Sequence, residues 1–423
     1  MTAFLTAPEG HRWLVVFALV LMSAALAFDT NAARPRESGF PLGVVAPDLW
    51  AKVARAIRRR ARRRALRSAV LGLVAGGLVA TAVGGSTALA AGGPPLPSAA
   101  GGAAVEVVGT GVQTPTAFAF GAGRVFVSGF GSEDGKAPGG VYVLRGGKAV
   151  RIPGLPGSAG LAWKNGTLYT TVAPAGRQLV AWSGWNGSNF TKRRLVWSGP
   201  KRFSGLNGLA MGWDGRIYAG VGLSDDGDIA KSNRPYAQSV ISMRVDGTDV
   251  RTVATGLRQP WQLAFVKGVP RPYVTVLGQE NLGKRQPPDY VILARDGDDY
   301  GFPGCNWSKP AACASFARPA AFFPAHSSPT GIAAAKSTLY VALFNGSGHG
   351  PAVVSIPARG GKATPVLAGF AAPVVAVGAS GGYLYAGDLT GSTRASGSKR
   401  TDAVSAAPLL HSAVGGPATA LFL

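Results

Sequence analysis

Histidine and cysteine are scarce in this chain: 423 residues hold four of the first and two of the second. Around Cys305 and Cys313 there are too few soft ligands to build a zinc site. A pair this close, in a protein outside the cytoplasm, reads instead as a disulfide closing a short loop. Carboxylates are also few, 20 against 43 Lys and Arg, for a net charge of +23. A balance that basic implies an anionic neighbour: nucleic acid, lipid head groups or an acidic polymer. Helical periodicity is missing from everything past residue 91, so the long carboxy-terminal part must be built from strands and turns.

What is there is a repeat. Its clearest copy runs over 206–222, a short apolar strand, a turn at Asp214-Gly215, and an alternating strand carrying Tyr218. Asp-Gly between two such runs is a hairpin signal because the turn needs residues that tolerate positive φ. Five further copies lie at 115–130, 158–173, 260–278, 329–346 and 373–391. Each places an apolar residue on the first strand (Phe118, Leu161, Leu209, Leu263, Ile332, Val375) and an aromatic on the second (Phe126, Tyr169, Tyr218, Tyr273, Tyr340, Tyr385). Repetition explains the aromatics as packing between repeats. Third strands follow at 141–145, 179–182, 240–245, 291–295 and 353–356. Strand-only units recurring at such a period are blades, and the fold expected over 105–423 is an all-β, six-bladed β-propeller. An early strand at 105–108 could pair with 419–423 to close the ring, and 393–402 reads as a loose polar loop.

Residues 1–91 differ in kind. An apolar run at 13–28 precedes a loop at 29–68 with nine basic residues between Lys52 and Arg67, and then a charge-free apolar segment at 69–91 ending in Ala88-Leu89-Ala90. A basic stretch, an apolar core and small residues at its end make a secretory signal, cut near Ala90, or an uncut anchor. The arginine cluster reads as a topology signal that holds its loop in the cytoplasm, not as a nucleic-acid site. The expected location is the cell membrane with the propeller on the extracytoplasmic side, or secretion after cleavage. The Pro/Gly/Ala-rich stretch at 92–104 is a linker.

Several segments carry a family resemblance, best over 205–331. Arg258-Gln-Pro-Trp-Gln-Leu-Ala-Phe265 resembles the Arg-Asn-Pro-x-Gly-Leu-Ala-Phe motif of the glucose/sorbosone dehydrogenases. Pro287-Pro-Asp289 and Gly297-Asp-Asp-Tyr-Gly-Phe-Pro-Gly-Cys305 are similar to that family's Pro-Pro-Asp-Glu and Tyr-Gly-Trp-Pro-x-Cys segments. His326-Ser-Ser-Pro-Thr-Gly331 resembles His-Ser-Ala-Pro-x-Gly, and Asn207-Gly-Leu-Ala resembles His-Asn-Gly-Leu-Ala. The resemblance implies a propeller that binds pyrroloquinoline quinone (PQQ) and calcium at the top of its channel and oxidises a sugar or sugar aldehyde. On that footing Arg258, Gln259 and Asn207 would bind the cofactor, Gly278 and Asp289 the metal, and His326 could stand in as the base. The family's own base, a histidine, is Leu206 here, and leucine has no lone pair with which to take a proton. Gln259 replaces the motif Asn, Tyr290 the Glu after Pro-Pro-Asp, and Ala372 an Arg at the sixth repeat.

Other polar residues have plainer readings beside functional ones. Arg258 is an anion clamp or a loop hydrogen-bond donor. His326 is a base or a loop cap, and His349 a solvated loop residue. The Asp225–Asp228 cluster lacks the spacing of a calcium loop. Glu280 and Asp388 are polar groups of the channel or simply hold turns. Two functions from different classes follow: a PQQ-type dehydrogenase with a degenerate site, or a non-catalytic propeller that binds a cell-envelope glycan or protein.

Overall fold

In the computed structural model, the described residues are 96–131, 138–172, 176–223, 232–279, 282, 286–346 and 350–389, with the backbone of 403–408. The segments at 13–28, 29–68 and 69–91 lie outside them, as do Asp225–Asp228, Glu280 and His349. Among the described residues no helix is long and apolar enough to cross a membrane.

The chain forms an all-β propeller. The described strands pair into six sheets, each built outward from an inner strand by antiparallel neighbours, with Asp298–Asp299 adding a short parallel pair to Arg251–Thr255. The inner strands are Pro115–Gly121, Leu161–Lys164, Leu209–Met211, Gln259–Ala264, Pro329–Ala335 and Val374–Ser380. Each packs against the next, and the last packs against the first, so the inner strands surround one axis. Five sheets lie wholly within residues described with their side chains. The remaining one places Val374–Ser380 beside Tyr383–Asp388, then Ala403–Pro408, then Glu106–Thr110 at its outer edge.

That last sheet corrects the expected closure. Glu106–Thr110 pairs with Ala403–Pro408, not with 419–423, which lies outside the described residues. Residues 403–408 supply the third strand of the sixth repeat. Their Ala/Val/Ser composition lacks the aromatic or branched run that marks the other third strands. The outer strands Lys148–Arg151, Phe190–Ser198, Arg251–Thr255, Ala321–Phe323 and Thr364–Ala368 were also not distinct in the sequence. They are short or half exposed, so their apolar alternation is weak; Phe190–Ser198, for example, exposes Thr191 through Leu195.

Local sequence explains the inner strands. Four of them shift register near their start, at Pro115/Ala117, Pro260/Leu263, Pro329/Ile332 and Val374/Ala376. A proline gives no N–H to the ladder, and a bulge is where a strand tolerates it. In the sixth repeat the shift starts at Val374, one residue after Pro373, so Val377 and not Val375 lies with Phe118, Leu161, Leu209, Leu263 and Ile332 along the axis. The Asp214-Gly215 turn is wider than a two-residue hairpin, with Gly212 N–H donating to Arg216 O across it and Gly215 at φ 81°. The second-strand aromatics fill the seams between sheets. Phe126 stacks on Trp163 of the next sheet at 5.4 Å, and Tyr218 meets Phe265 edge-on at 5.2 Å. Burial of each such side chain contributes about 1.5–3 kcal/mol.

Cys305 and Cys313 form a disulfide, with α-carbons 5.4 Å apart. Both are buried with Tyr300 and Trp307 against the third and fourth sheets.

Candidate functional site

The residues singled out by the motifs lie at one end of the sheets, where the inner strands begin. Arg258 immediately precedes Gln259–Ala264, and Asn207 lies two residues before Leu209–Met211. Gly278 follows the strand Tyr273–Leu277, and Asp289 opens the antiparallel strand beside it, which places both at this same end.

Three of these residues form one network. Arg258 is 2% exposed, and its Nη1 donates to the carbonyl of Gly278 at 2.7 Å. The Gly278 N–H donates to Oδ1 of Asp289 at 2.6 Å, and the Ser328 N–H donates to Oδ2 at 2.8 Å. Burial pushes the Asp289 carboxyl up from 3.8 to about 6, against the pull of those N–H groups and of Arg258. His326 lies two residues before Ser328, with left-handed backbone at φ 63°. Its carbonyl accepts a bond from Asn345 Nδ2 at 3.1 Å. The network therefore ties the fourth sheet to the loop that leads into the fifth.

Asn207 and Gln259 work at the seam between the third and fourth sheets. Asn207 Nδ2 donates to Pro260 O at 2.6 Å, and Gln259 Oε1 accepts from Leu223 N–H at 2.9 Å. Gly222 makes room for that glutamine, since a β-carbon there would lie 1.8 Å from Oε1.

The rest of this end is apolar. Leu206 is 2% exposed and packs among Phe203, Leu209 and Ala219. Trp261, Leu277, Phe344, Ala372, Val375 and Leu389 form a second cluster with Phe130 against it. Trp261 is 1% exposed, and Tyr290, which stands where the resembling motif has a glutamate, is buried. Below them Gln262 reaches across the axis, its Nε2 donating to Thr116 O at 3.2 Å and Ala159 O at 2.5 Å.

The fold has relatives among solved structures. A candidate glucose dehydrogenase from Thermus thermophilus is 22% identical over 72% of this chain and 100% of its own, with a TM-score of 0.57. The PQQ-bound aldose sugar dehydrogenase of Streptomyces coelicolor is 21% identical over 73% and 99%, at 0.55. A calcium-containing structure of a Trichoderma reesei carbohydrate-active enzyme of family AA12 is 16% identical over 75% and 98%, at 0.57. This chain has the sugar-dehydrogenase propeller fold. No family model and no curated protein matches its sequence.

Within that fold, the polar groups expected to hold a cofactor and a metal are bonded to the protein's own backbone. A metal at Gly278 would share a carbonyl with the guanidinium of Arg258 and sit beside its positive charge. Both oxygens of Asp289 already accept N–H groups. Among the described residues no three His, Cys, Asp or Glu side chains gather as a metal site. The sequence reading missed Gln262 and the Trp261 cluster. The signal for Gln262 was legible, because it stands where the resembling motif has glycine. The apolar cluster could not be read, since its members come from three sheets and the loops between them.

Proposed function

We propose that this chain is an extracytoplasmic propeller on the sugar-dehydrogenase scaffold whose redox end is filled in, so that it acts by binding and not by hydride transfer. Its six sheets are then six blades around one channel. The observation that carries this reading is Leu206, buried beside Asn207 where a base would have to stand. A base needs a lone pair within about 2.6–3.2 Å of the proton it takes, and a leucine packed among Phe203 and Leu209 leaves that place apolar.

PQQ is a planar polyanion, and its neighbours here would have to supply positive charge and a bridging cation. Arg258 is the one buried guanidinium at this end of the described chain. It is already bonded to Gly278 O, and the donors expected to hold calcium are satisfied internally. The described residues therefore do not fit the quinone and its metal.

The partner supported by charge is an anionic cell-envelope polymer. Of the net charge of +23, residues 91–423 carry +15, and basic surfaces attract such polymers. The buried disulfide supports an oxidising compartment. Two measurements test the reading. Full-length protein is titrated with PQQ and calcium, and dye reduction is followed with aldoses and sugar aldehydes. The expected result is no saturable PQQ binding and no turnover. Turnover at roughly 1–10³ per second, the ordinary enzyme range, would overturn it, and His326→Ala would then show whether His326 is the base. For location, a reporter fused after Leu423 should be active only outside the cytoplasm.

A further inference from the structure

At the end of the axis opposite Leu206 and Arg258, the inner strands open into a wide-mouthed funnel of about 440 Å³ whose side chains are all apolar. We infer that this funnel binds the hydrocarbon chain of a long-chain carboxylate, with the carboxylate held at a basic rim. The inference does not rest on the loss of hydride transfer, because the two sites lie at opposite ends of the strands.

The funnel follows from the period-two alternation of six strands around one axis. The inner layer is Phe118, Leu161, Leu209, Leu263, Ile332 and Val377. Two residues further along, Phe120, Trp163, Met211 and Phe265 widen it, and the small Ala334 and Ala379 leave one side open. No charged, amide or hydroxyl side chain lines it. Past the inner layer lies a separate space of about 40 Å³, bounded by Gln262 and Thr116. A space of this volume is in the range of ligand pockets, roughly 300–1,000 Å³, and every side chain lining it is apolar.

The rim sets the sign of the ligand. The turns joining inner strands to their neighbours carry Arg124, Lys164, Arg216, Lys267, Arg271 and Lys336 against one carboxylate, Asp214. Arg216 pairs with Asp249 at 2.8 Å, and Arg271 pairs with Asp296. Arg124, Lys164 and Lys267 have no ion pair among the described residues. Trp213, 62% exposed, stands at the mouth with its indole N–H fixed on Val266 O at 3.2 Å. Apolar side chains lining the space, with unpaired cations on the strand ends and turns around it, match an amphiphile with an anionic head.

The test is titration of the full-length protein with monomeric saturated fatty acids brominated along the chain, read as quenching of tryptophan fluorescence, below the concentration at which they form micelles. Saturable one-to-one quenching is expected, tightening about fourfold per added methylene until the funnel is full, from a burial term of about 0.8 kcal/mol each. The methyl ester should bind at least fivefold more weakly than the acid. Ala334→Trp, which fills the open side from a half-buried position, should weaken binding at least tenfold, and Lys164→Glu with Lys267→Glu several-fold. If Ala334→Trp disturbs the fold by circular dichroism, Ala379→Trp on the adjacent strand serves instead. Equal binding of acid and ester, or binding unchanged by the filling variant, would overturn the proposal and place any binding elsewhere on the chain. Binding to vesicles of anionic lipid with none to the monomeric acid would overturn it in favour of a membrane contact.

Discussion

Gln262 and Ala159 meet across the propeller axis: the glutamine Nε2 lies 2.5 Å from the Ala159 carbonyl, though 103 residues of chain separate them. The other amide hydrogen reaches Thr116 O, so one side chain of the fourth sheet closes on the first sheet and on the lead into the second. Its oxygen lies over Gly208, where a β-carbon would come within 2.2 Å of it. Gln262→Ala leaves two buried carbonyls short of a donor, which costs about 1–3 kcal/mol each if water does not enter. Denaturant unfolding should show a lower midpoint with an unchanged slope, and Gly208→Ala should destabilise by a similar amount through the same contact.

Asp289 should make stability fall as pH rises. Its folded pKa, about 6, lies above the ordinary 3.8, so the folded chain keeps a proton that the unfolded chain releases. The contribution is fully present below about pH 4 and is lost as pH climbs through about 6. A shift of this size corresponds to a contribution on the order of 3 kcal/mol. Asp289→Asn removes the titration, so the difference in melting temperature between wild type and variant should change across pH 4 to 7 and level off above it. A constant difference would show that burial does not control this carboxyl.

The disulfide closes a loop with a sequence separation of 8. Loop-closure entropy for so short a ring gives about 2–3 kcal/mol. Cys305→Ser with Cys313→Ser should lower thermal stability by that order, with a further loss because both sulfurs are buried beside Trp307. Thiol labelling of the native oxidised protein should modify neither cysteine.

Leu206→His is expected to fail as a rescue. It places an imidazole in a pocket that is 2% exposed and lined by Phe203 and Leu209, where burial disfavours a polar group by about 1–3 kcal/mol. The variant should melt lower and show no dye reduction with PQQ, calcium and aldoses. Turnover from this single change would show that the remaining site is intact.

The sequence alone determined the all-β class, the repeat, the second-strand aromatics and the cysteine pair. Each of these is a local pattern: alternation with period two, a turn residue between apolar runs, or two cysteines close in the chain. The six first-strand positions were legible for the same reason, apart from Val375: the sixth bulge starts at Val374 and not at the proline before it, so the residue three further on, Val377, stands at the axis. Only the tertiary structure decided which strand closes the ring, because 403–408 has no aromatic and a single branched residue, Val404, and is recognised only through its pairing with Glu106–Thr110 and Tyr383–Asp388. It also decided where the polar motif residues bond: Arg258, Gln259, Asn207 and Asp289 each reach a backbone group that is distant in the chain, a pairing that their local sequence does not carry. The crossing of Gln262 and the apolar funnel below it are likewise properties of the closed ring, since each draws on strands that are far apart in the chain and meet only around a common axis.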